Sequence, residues 1–383
     1  MEKVVLLKTP SYERNLMRTQ VERIFKEFGG AEKFFKSGEK VVIKPNLLFG
    51  RPADAHVTTH PELVFAVGSV LKDIGCRITI GDSPGIGSAV NVAKKCGIEA
   101  VANELGAKVV NFEQSVEVKP ESGDRIFKKF EIAREVYEAD KVVNLPKLKS
   151  HAQMLLTMAV KNTFGTVVGI RKPEWHFKAG LDAEFFARMI VELNILVAPD
   201  FTIMDGVFGM EGNGPANGTF RELNILIGGV NCVAIDTVAA ALLKFTPDQF
   251  FTGRAAKKMN YPGSSIKDIE VAGDRMDAFD IKDFKLPRNI MASDWRMFGF
   301  LKKILKGVFN SSPDYHKNLC KMCKICVDVC PAKAISVSEN KDGGLNFDLK
   351  KCIRCFCCQE MCPHAAITVK KSLAENIRNF FGK

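Results

Sequence analysis

Between Cys320 and Cys362 the chain repeats itself. Cys320, Cys323, Cys326 and Cys330, closed by Pro331, recur as Cys352, Cys355, Cys358 and Cys362, closed by Pro363, an offset of 32 residues from 320 to 352. The same offset carries Ala334 onto Ala366, Ile335 onto Ile367 and Val337 onto Val369, so two copies of one small unit stand side by side. Eight of the 12 cysteines belong to this repeat, and a ninth, Cys357, lies inside it. The N-terminus MEKVVLLKTPSYER has no basic stretch, apolar core or small-residue cleavage site of a secretory signal, and a cytoplasmic location is expected. In that compartment clustered cysteines read as metal ligands rather than disulfides.

The spacing narrows the metal. Zinc sites use two CxxC pairs and have no use for a third Cys at the same spacing followed by CP. Three closely spaced thiolates wrap an iron-sulfur cubane, while the fourth lies too far along the chain and serves the other cluster. The ligands are therefore expected crosswise: Cys320, Cys323, Cys326 and Cys362 for one cluster, Cys352, Cys355, Cys358 and Cys330 for the other. From about Asn318 to Lys371 the chain resembles the two-cluster 4Fe-4S bacterial ferredoxin family at all eight ligand positions. Pro331 and Pro363, which lock φ and donate no backbone hydrogen bond, suit the turn after each fourth Cys. Cys357, beside Phe356, reads as a small apolar filler of the cluster shell, with an alternative ligand as the second reading. Lys321, Lys324 and Arg354 make this surface basic, which suits an acidic electron donor or acceptor protein.

The chain has 383 residues, enough for two or three domains, and its 46% hydrophobic content can bury a core. No run of eighteen apolar residues occurs, so no transmembrane helix is expected. The net charge of +11 comes without a basic tract interleaved with aromatics, so nucleic acid is not an expected partner.

Residues 1–286 alternate apolar strand-like runs (VVLLKT, VVIKPN, CRITIGD, AKVVNF, KVVNLPK, FTIMDG, LNILIGG) with amphipathic stretches. This predicts an α/β fold, a mostly parallel sheet with helices on both faces, followed by a small C-terminal α+β ferredoxin-like domain. A hairpin is expected from Ser115 to Arg134, turning at Glu121 to Asp124, as an edge or lid element. Residues 287–317 read as a linker carrying a helix from Asn289 to Asn310, which packs on a domain or lies on a membrane surface; 318–371 hold the clusters and 372–383 a tail.

In open α/β sheets the ligand crevice lies beyond the carboxyl ends of the strands. Lys44, Pro45 and Asn46 follow VVI, Asp82 to Gly85 follow RITIG, Lys147, Lys149, Ser150 and His151 follow VVNLP, and Asp205 follows FTIM. A lysine directly after a buried strand is costly unless its ammonium meets an anion, so these ends are expected to form one crevice for an anionic small molecule. Lys44, Asn46, Lys149, Lys161, Asn162, Asp205 and Asn213 are the expected binding residues; His151, Lys147 and Asp82 are expected to act on the ligand, His151 as a general acid. His60, before Pro61, reads as structural at a helix start, and Asp236 as a helix cap or a crevice carboxylate. The Gly-rich stretch Glu211 to Pro215 matches no phosphate loop, and neither GxGxxG nor GxxxxGK[ST] occurs. A further metal or a flavin stays open, since flavin sites share no single motif.

KPN at 44–46, HP at 60–61, DSPG at 82–85, LPKLKSH at 145–151, KNTFG at 161–165, DG at 205–206 and GNGP at 212–215 together resemble the family described as domain of unknown function 362. The resemblance implies an α/β fold associated with iron-sulfur redox proteins and assigns no substrate. The expected function is an iron-sulfur oxidoreductase passing electrons through two 4Fe-4S clusters to an anionic substrate or second cofactor in the crevice. The alternatives are a non-catalytic electron-transfer or maturation partner whose α/β domain docks another protein, and an anion-binding regulator whose clusters sense redox state.

Overall fold

The computed structural model describes residues 1–120, 125–169, 171–287, 311–338 and 343–370. Alternation along the strands sets the architecture. In β1 (Glu2–Lys8), Val4 and Leu6 enter one apolar core while Val5 and Leu7 enter another on the opposite face. β2 (Lys40–Pro45) divides Val42 from Val41 and Ile43 in the same way. Both faces must therefore be covered. Helices Arg14–Glu27, Pro61–Ile74, Ala89–Cys96 and Ile98–Leu105 cover one, and Ala183–Val197, Cys232–Leu242 and Phe251–Lys258 the other.

The remaining strands of this unit are β3 (Arg77–Asp82), β4 (Lys108–Asn111), β5 (Ser115–Val118), β6 (Phe130–Ala133), β7 (Lys141–Leu145), β8 (Lys147–His151), β9 (Leu155–Thr157), β10 (Phe201–Glu211), β11 (Thr219–Gly229) and β12 (Ile269–Gly273). The sheet runs in the order β12-β1-β11-β10-β7-β2-β3-β4, with β8 and β9 attached to β10. Most neighbours are parallel; β11 is antiparallel to β1 and β10, and β9 to β8. This is the α/β sheet with helices on both faces that the alternation predicts.

Several local readings change. β5 and β6 pair as the expected hairpin, separate from the main sheet, and its turn at 121–124 lies outside the described residues. FTIM does not end at Asp205: β10 continues to Glu211, because β11 pairs with it along its length across a register shift between Gly206 and Phe208. After His151 the chain turns back as β9 before the short helix Ala159–Asn162.

The expected linker helix, Asn289 to Asn310, falls in 288–310, outside the described residues, as does the tail at 372–383. The small C-terminal unit starts earlier than its cysteines. β13 (Ser312–Tyr315), part of the expected linker, pairs antiparallel with β16 (Ile367–Lys370), and β14 (Ile335–Val337) pairs with β15 (Leu345–Phe347). The repeat is also structural. Met322, Lys324 and Lys333 have positive φ, and so do Arg354, Phe356 and Ala365, their counterparts. These left-handed residues, which cost roughly 1–2 kcal/mol each in a non-glycine, bend the backbone around the sulfurs. Met322 N reaches Cys320 Sγ at 3.4 Å and Ala334 N reaches Cys330 Sγ at 3.2 Å; Arg354 N and Ala366 N repeat this on Cys352 at 3.4 Å and Cys362 at 3.3 Å.

Candidate redox and anion site

Each half of the small unit encloses a cavity lined by cysteines of both runs. Cys320, Cys323, Cys326 and Cys362 line one; Cys352, Cys355, Cys358 and Cys330, with Cys357, line the other. Among the described residues no three His, Cys, Asp or Glu side chains close on a single point as around one metal ion. Four thiols spread around a cavity instead suit a cubane, whose irons are held from outside, and the amide-to-sulfur bonds above stabilise thiolate charge. The cysteine set fits a 4Fe-4S group. Burial and neighbouring sulfurs push the thiol of Cys326 up to about 11 and that of Cys358 well above its usual range, a cost that iron ligation removes.

The α/β unit carries a larger cavity, about 410 Å³, at the ends of β2, β3 and β8. Lys44 sits there with Nζ 2.9 Å from Asp82 Oδ1, and both side chains are buried. Asp82 also accepts from Leu47 N and Ser83 N, each at 2.8 Å. These amides and the lysine fix the position of its carboxyl group. Gly165 lies against this pair so closely that a Cβ there would collide with Asp82 Oδ1 and Lys44 Nζ. Asn46 links the wall together: its Oδ1 accepts from Lys149 Nζ at 2.8 Å, and its Nδ2 donates to Asn162 Oδ1 at 3.0 Å. Lys161 and Asn162 reach the cavity from the helix Ala159–Asn162.

Four lysines, Lys44, Lys149, Lys161 and Lys172, stand in the wall with the carboxyl side chains of Asp82, Asp328 and Glu360. Burial draws Lys149 down to about 7 and, against the pull of Asp82, Lys172 down to about 7. Burial also lowers Lys44 and Lys161. Lys172, whose Nζ donates to Ser83 O, and His176 come from the helix Arg171–Ala179 and were missed in sequence. Pro173 in its first turn is a helix-start signal that could have pointed there. His176 is buried, its Nδ1 has no hydrogen-bond partner, and burial lowers its pKa to about 3.

His151 lines the cavity, but its expected acid role does not fit its hydrogen bonds. Its Nδ1 accepts from Gln153 N at 3.1 Å and Met154 N at 3.2 Å, and burial lowers its pKa well below the usual value. The ring is thus a neutral Nε2–H tautomer, a hydrogen-bond donor and not a proton source at neutral pH.

Three other expectations are corrected. Lys147 and Asp205 pair at 3.0 Å, both fully buried, and share Tyr12, whose hydroxyl lies 2.7 Å from each. They do not line the cavity, because Asp205 is a mid-strand residue with Lys147 opposite it in β8. Asn213 faces the small unit: its backbone O and its Oδ1 accept from Gln359 Nε2 at 3.1 and 2.9 Å. Asp236 caps the neighbouring helix Ala159–Asn162, accepting from Ala159 N at 2.7 Å and Val160 N at 3.2 Å. His60 is structural, its Nδ1 accepting from Glu62 N at 3.2 Å and its ring stacked on Tyr12 at 3.6 Å.

The two units meet over the cavity. Arg51 Nη2 donates to Pro363 O at 2.6 Å and Asn217 Nδ2 to Cys362 O at 3.0 Å. Gly85 lets the side chain of Met361 approach its backbone, and Glu360 Oε2 stands 3.6 Å from His151 Nε2. Cys357, Glu360 and Met361 of the second cysteine run thereby form part of the wall that Lys149, Lys161 and His151 also line.

Two family models match the chain: one described as a domain of unknown function (DUF362) over residues 41–241, and a 4Fe-4S dicluster domain over residues 319–366. A thylakoid-associated protein of Synechocystis is 35% identical over 307 residues, 80% of this chain and 93% of that protein. Among solved structures, a structural-genomics target from Thermotoga maritima superposes with a TM-score of 0.37 at 13% identity, over 53% of this chain and 52% of that one. The lactate racemase apoprotein of Thermoanaerobacterium thermosaccharolyticum gives 0.38 at 14% identity, over 61% and 55%. The chain thus spans about half the length of each of these two structures.

Proposed function

The chain belongs to the DUF362 family and, with its 4Fe-4S ferredoxin-like domain, serves iron-sulfur electron transfer; we propose that it is an oxidoreductase that holds two 4Fe-4S clusters on the crosswise cysteine sets and reduces a small anionic substrate in the cavity. One observation carries this reading. Cys357 and Glu360, on either side of Cys358, stand in the same wall as the lysines. When bound, the clusters supply single electrons. The chain's residues do the rest: Lys161 and Lys172 attract the anion, Lys44 and Asp82 fix the floor, and His151 Nε2–H offers one hydrogen bond. Covering part of the cavity with the small unit limits its contact with bulk water, which strengthens the charge interactions inside it.

The partner is a redox protein. Cys323 is exposed among exposed Lys317, Lys321 and Lys324, a basic edge suited to an acidic one-electron donor. Among the described residues no helix is long and apolar enough to cross a membrane. We place the chain in the cytoplasm; fractionation that recovers it with membranes would overturn that placement.

The test is anaerobic purification with iron, sulfide, metal and flavin analysis, followed by calorimetric binding of oxalate as a probe anion. About eight irons per chain are expected, with oxalate binding weakened by Lys161→Met and Lys172→Met at unchanged iron content. Eight irons without anion binding would favour the electron-transfer partner whose α/β unit docks another protein.

A further inference from the structure

Lys149 differs from the lysines on either side of it in the fold. Lys44 and Lys147 each have a carboxylate partner. Lys149, 1% exposed, is held by neutral oxygens: its Nζ donates to Asn46 Oδ1 at 2.8 Å and to Val57 O at 2.9 Å. A tetrahedral nitrogen bonded to Cε and committed to two acceptors has one direction left, and Lys149 lines the cavity. In the ammonium that direction is a third N–H; in the amine it is the lone pair. Both forms keep the same two hydrogen bonds, so a proton comes and goes without rearranging the neighbours.

We infer that Lys149 is the proton-transfer group of the cavity, an inference that rests on the cavity receiving an anionic substrate. The reduced donor protein supplies the electrons through the small unit. One Nζ–H bond of the ammonium breaks, its electron pair stays on Nζ, and the proton bonds to the substrate atom that has gained an electron pair. The amine then recovers a proton from water. His151 cannot take this part, since its Nδ1 is blocked by two backbone amides and loss of the Nε2 proton would leave an imidazolate.

The surroundings support the assignment. Burial is the main influence drawing Lys149 down to about 7; Lys147 on its own strand and Lys161 on the helix Ala159–Asn162 lower it further, while Glu360 from the small unit and Asp82 at the end of β3 oppose them. A group that titrates near neutrality can act both as acid and as base.

The experiment uses the anaerobic holoprotein. Competitive acetylation with acetic anhydride across pH, read by mass spectrometry, should show Lys149 becoming reactive with a midpoint near 7, whereas exposed lysines follow their ordinary range near about 10.4. A Lys149 midpoint in that ordinary range overturns the inference. Calorimetry of oxalate binding at pH 8 in buffers of different ionisation enthalpy supplies the second readout. The wild type should take up roughly one to two protons per oxalate, because the anion draws the amines of Lys149 and Lys172, each lowered to about 7, back to the ammonium. Lys149→Arg, which keeps the charge but exchanges no proton, should bind oxalate with close to about one proton less taken up than the wild type. Unchanged uptake in Lys149→Arg overturns the inference and leaves the anion site standing. Failure of the wild type to bind oxalate overturns the proposed function instead, while the acetylation midpoint still decides the state of Lys149.

Discussion

Replacing Lys147 with Met tests whether a lysine expected in the crevice is instead part of the fold's support. Methionine keeps most of the buried stem and removes the ammonium. Asp205, whose side chain is 0% exposed, then loses its 3.0 Å ion pair and keeps the Tyr12 hydroxyl at 2.7 Å and His60 N at 2.9 Å. Removing one partner of a buried pair costs about 3–5 kcal/mol. The two surviving bonds put this case near the lower end, about 3 kcal/mol, or a fall in Tm of roughly 6–12 °C at about 2–4 °C per kcal/mol. Urea and thermal unfolding of the anaerobic holoprotein measure it. Adding Asp205→Asn removes the stranded charge while leaving an acceptor for Tyr12, so the double variant should recover about half of the loss. Oxalate affinity should stay within about twofold throughout, since neither residue lines the cavity. A loss below about 1 kcal/mol, or an affinity that falls while stability holds, refutes the structural assignment.

Gly165→Ala drives a methyl onto Asp82 and Lys44, so it should weaken oxalate binding at least about tenfold, equivalent to about 1.4 kcal/mol, with the iron content unchanged. Cys330→Ala should remove about half the iron, and the double variant Cys330→Ala with Cys352→Ala should lose no more, because the crosswise arrangement puts both on one cluster; loss of nearly all iron in the double variant would mean that each run serves its own cluster. His176, lowered to about 3 by burial, contributes stability that is present above the unfolded histidine's pKa of about 6.5 and is lost as pH falls toward 3. His176→Phe, which keeps the stacking on Phe186, should therefore flatten the acid side of the stability profile between about pH 6.5 and 4, and an unchanged slope there would show that His176 is not held neutral.

Local chemistry explains what could be read without coordinates. Cluster ligation depends on thiols a few residues apart, so the cysteine repeat carries its metal chemistry in one short stretch. Strand alternation is equally local. The pairs Val4 with Leu6 and Val5 with Leu7 already require two covered faces and so a three-layer α/β unit. Lys44, Asn46, Asp82, Lys149 and His151 were reachable because each sits in a polar stretch around a strand end, where this architecture gathers its ligands, whereas Lys161 and Asn162 lie at the end of a short helix.

Pairing between distant segments decided the rest. Asp205 resembles a strand-end residue until β11 extends β10 beyond it, which turns it toward Lys147 and Tyr12 and away from the cavity. Asn213 gains its role from Gln359, and Lys172 and His176 enter the wall on a helix with no strand end beside it in sequence. His151 shows the same division within one residue: its place at the cavity follows from the strand, but its tautomer is set by amides of the turn behind it. The sequence determined the metal chemistry and the layers because their periods and spacings span only a few residues. Tertiary structure alone set Cys357 and Glu360 beside Lys149 and Lys161, because that contact joins segments about two hundred residues apart in sequence and depends on how one packed unit closes over another.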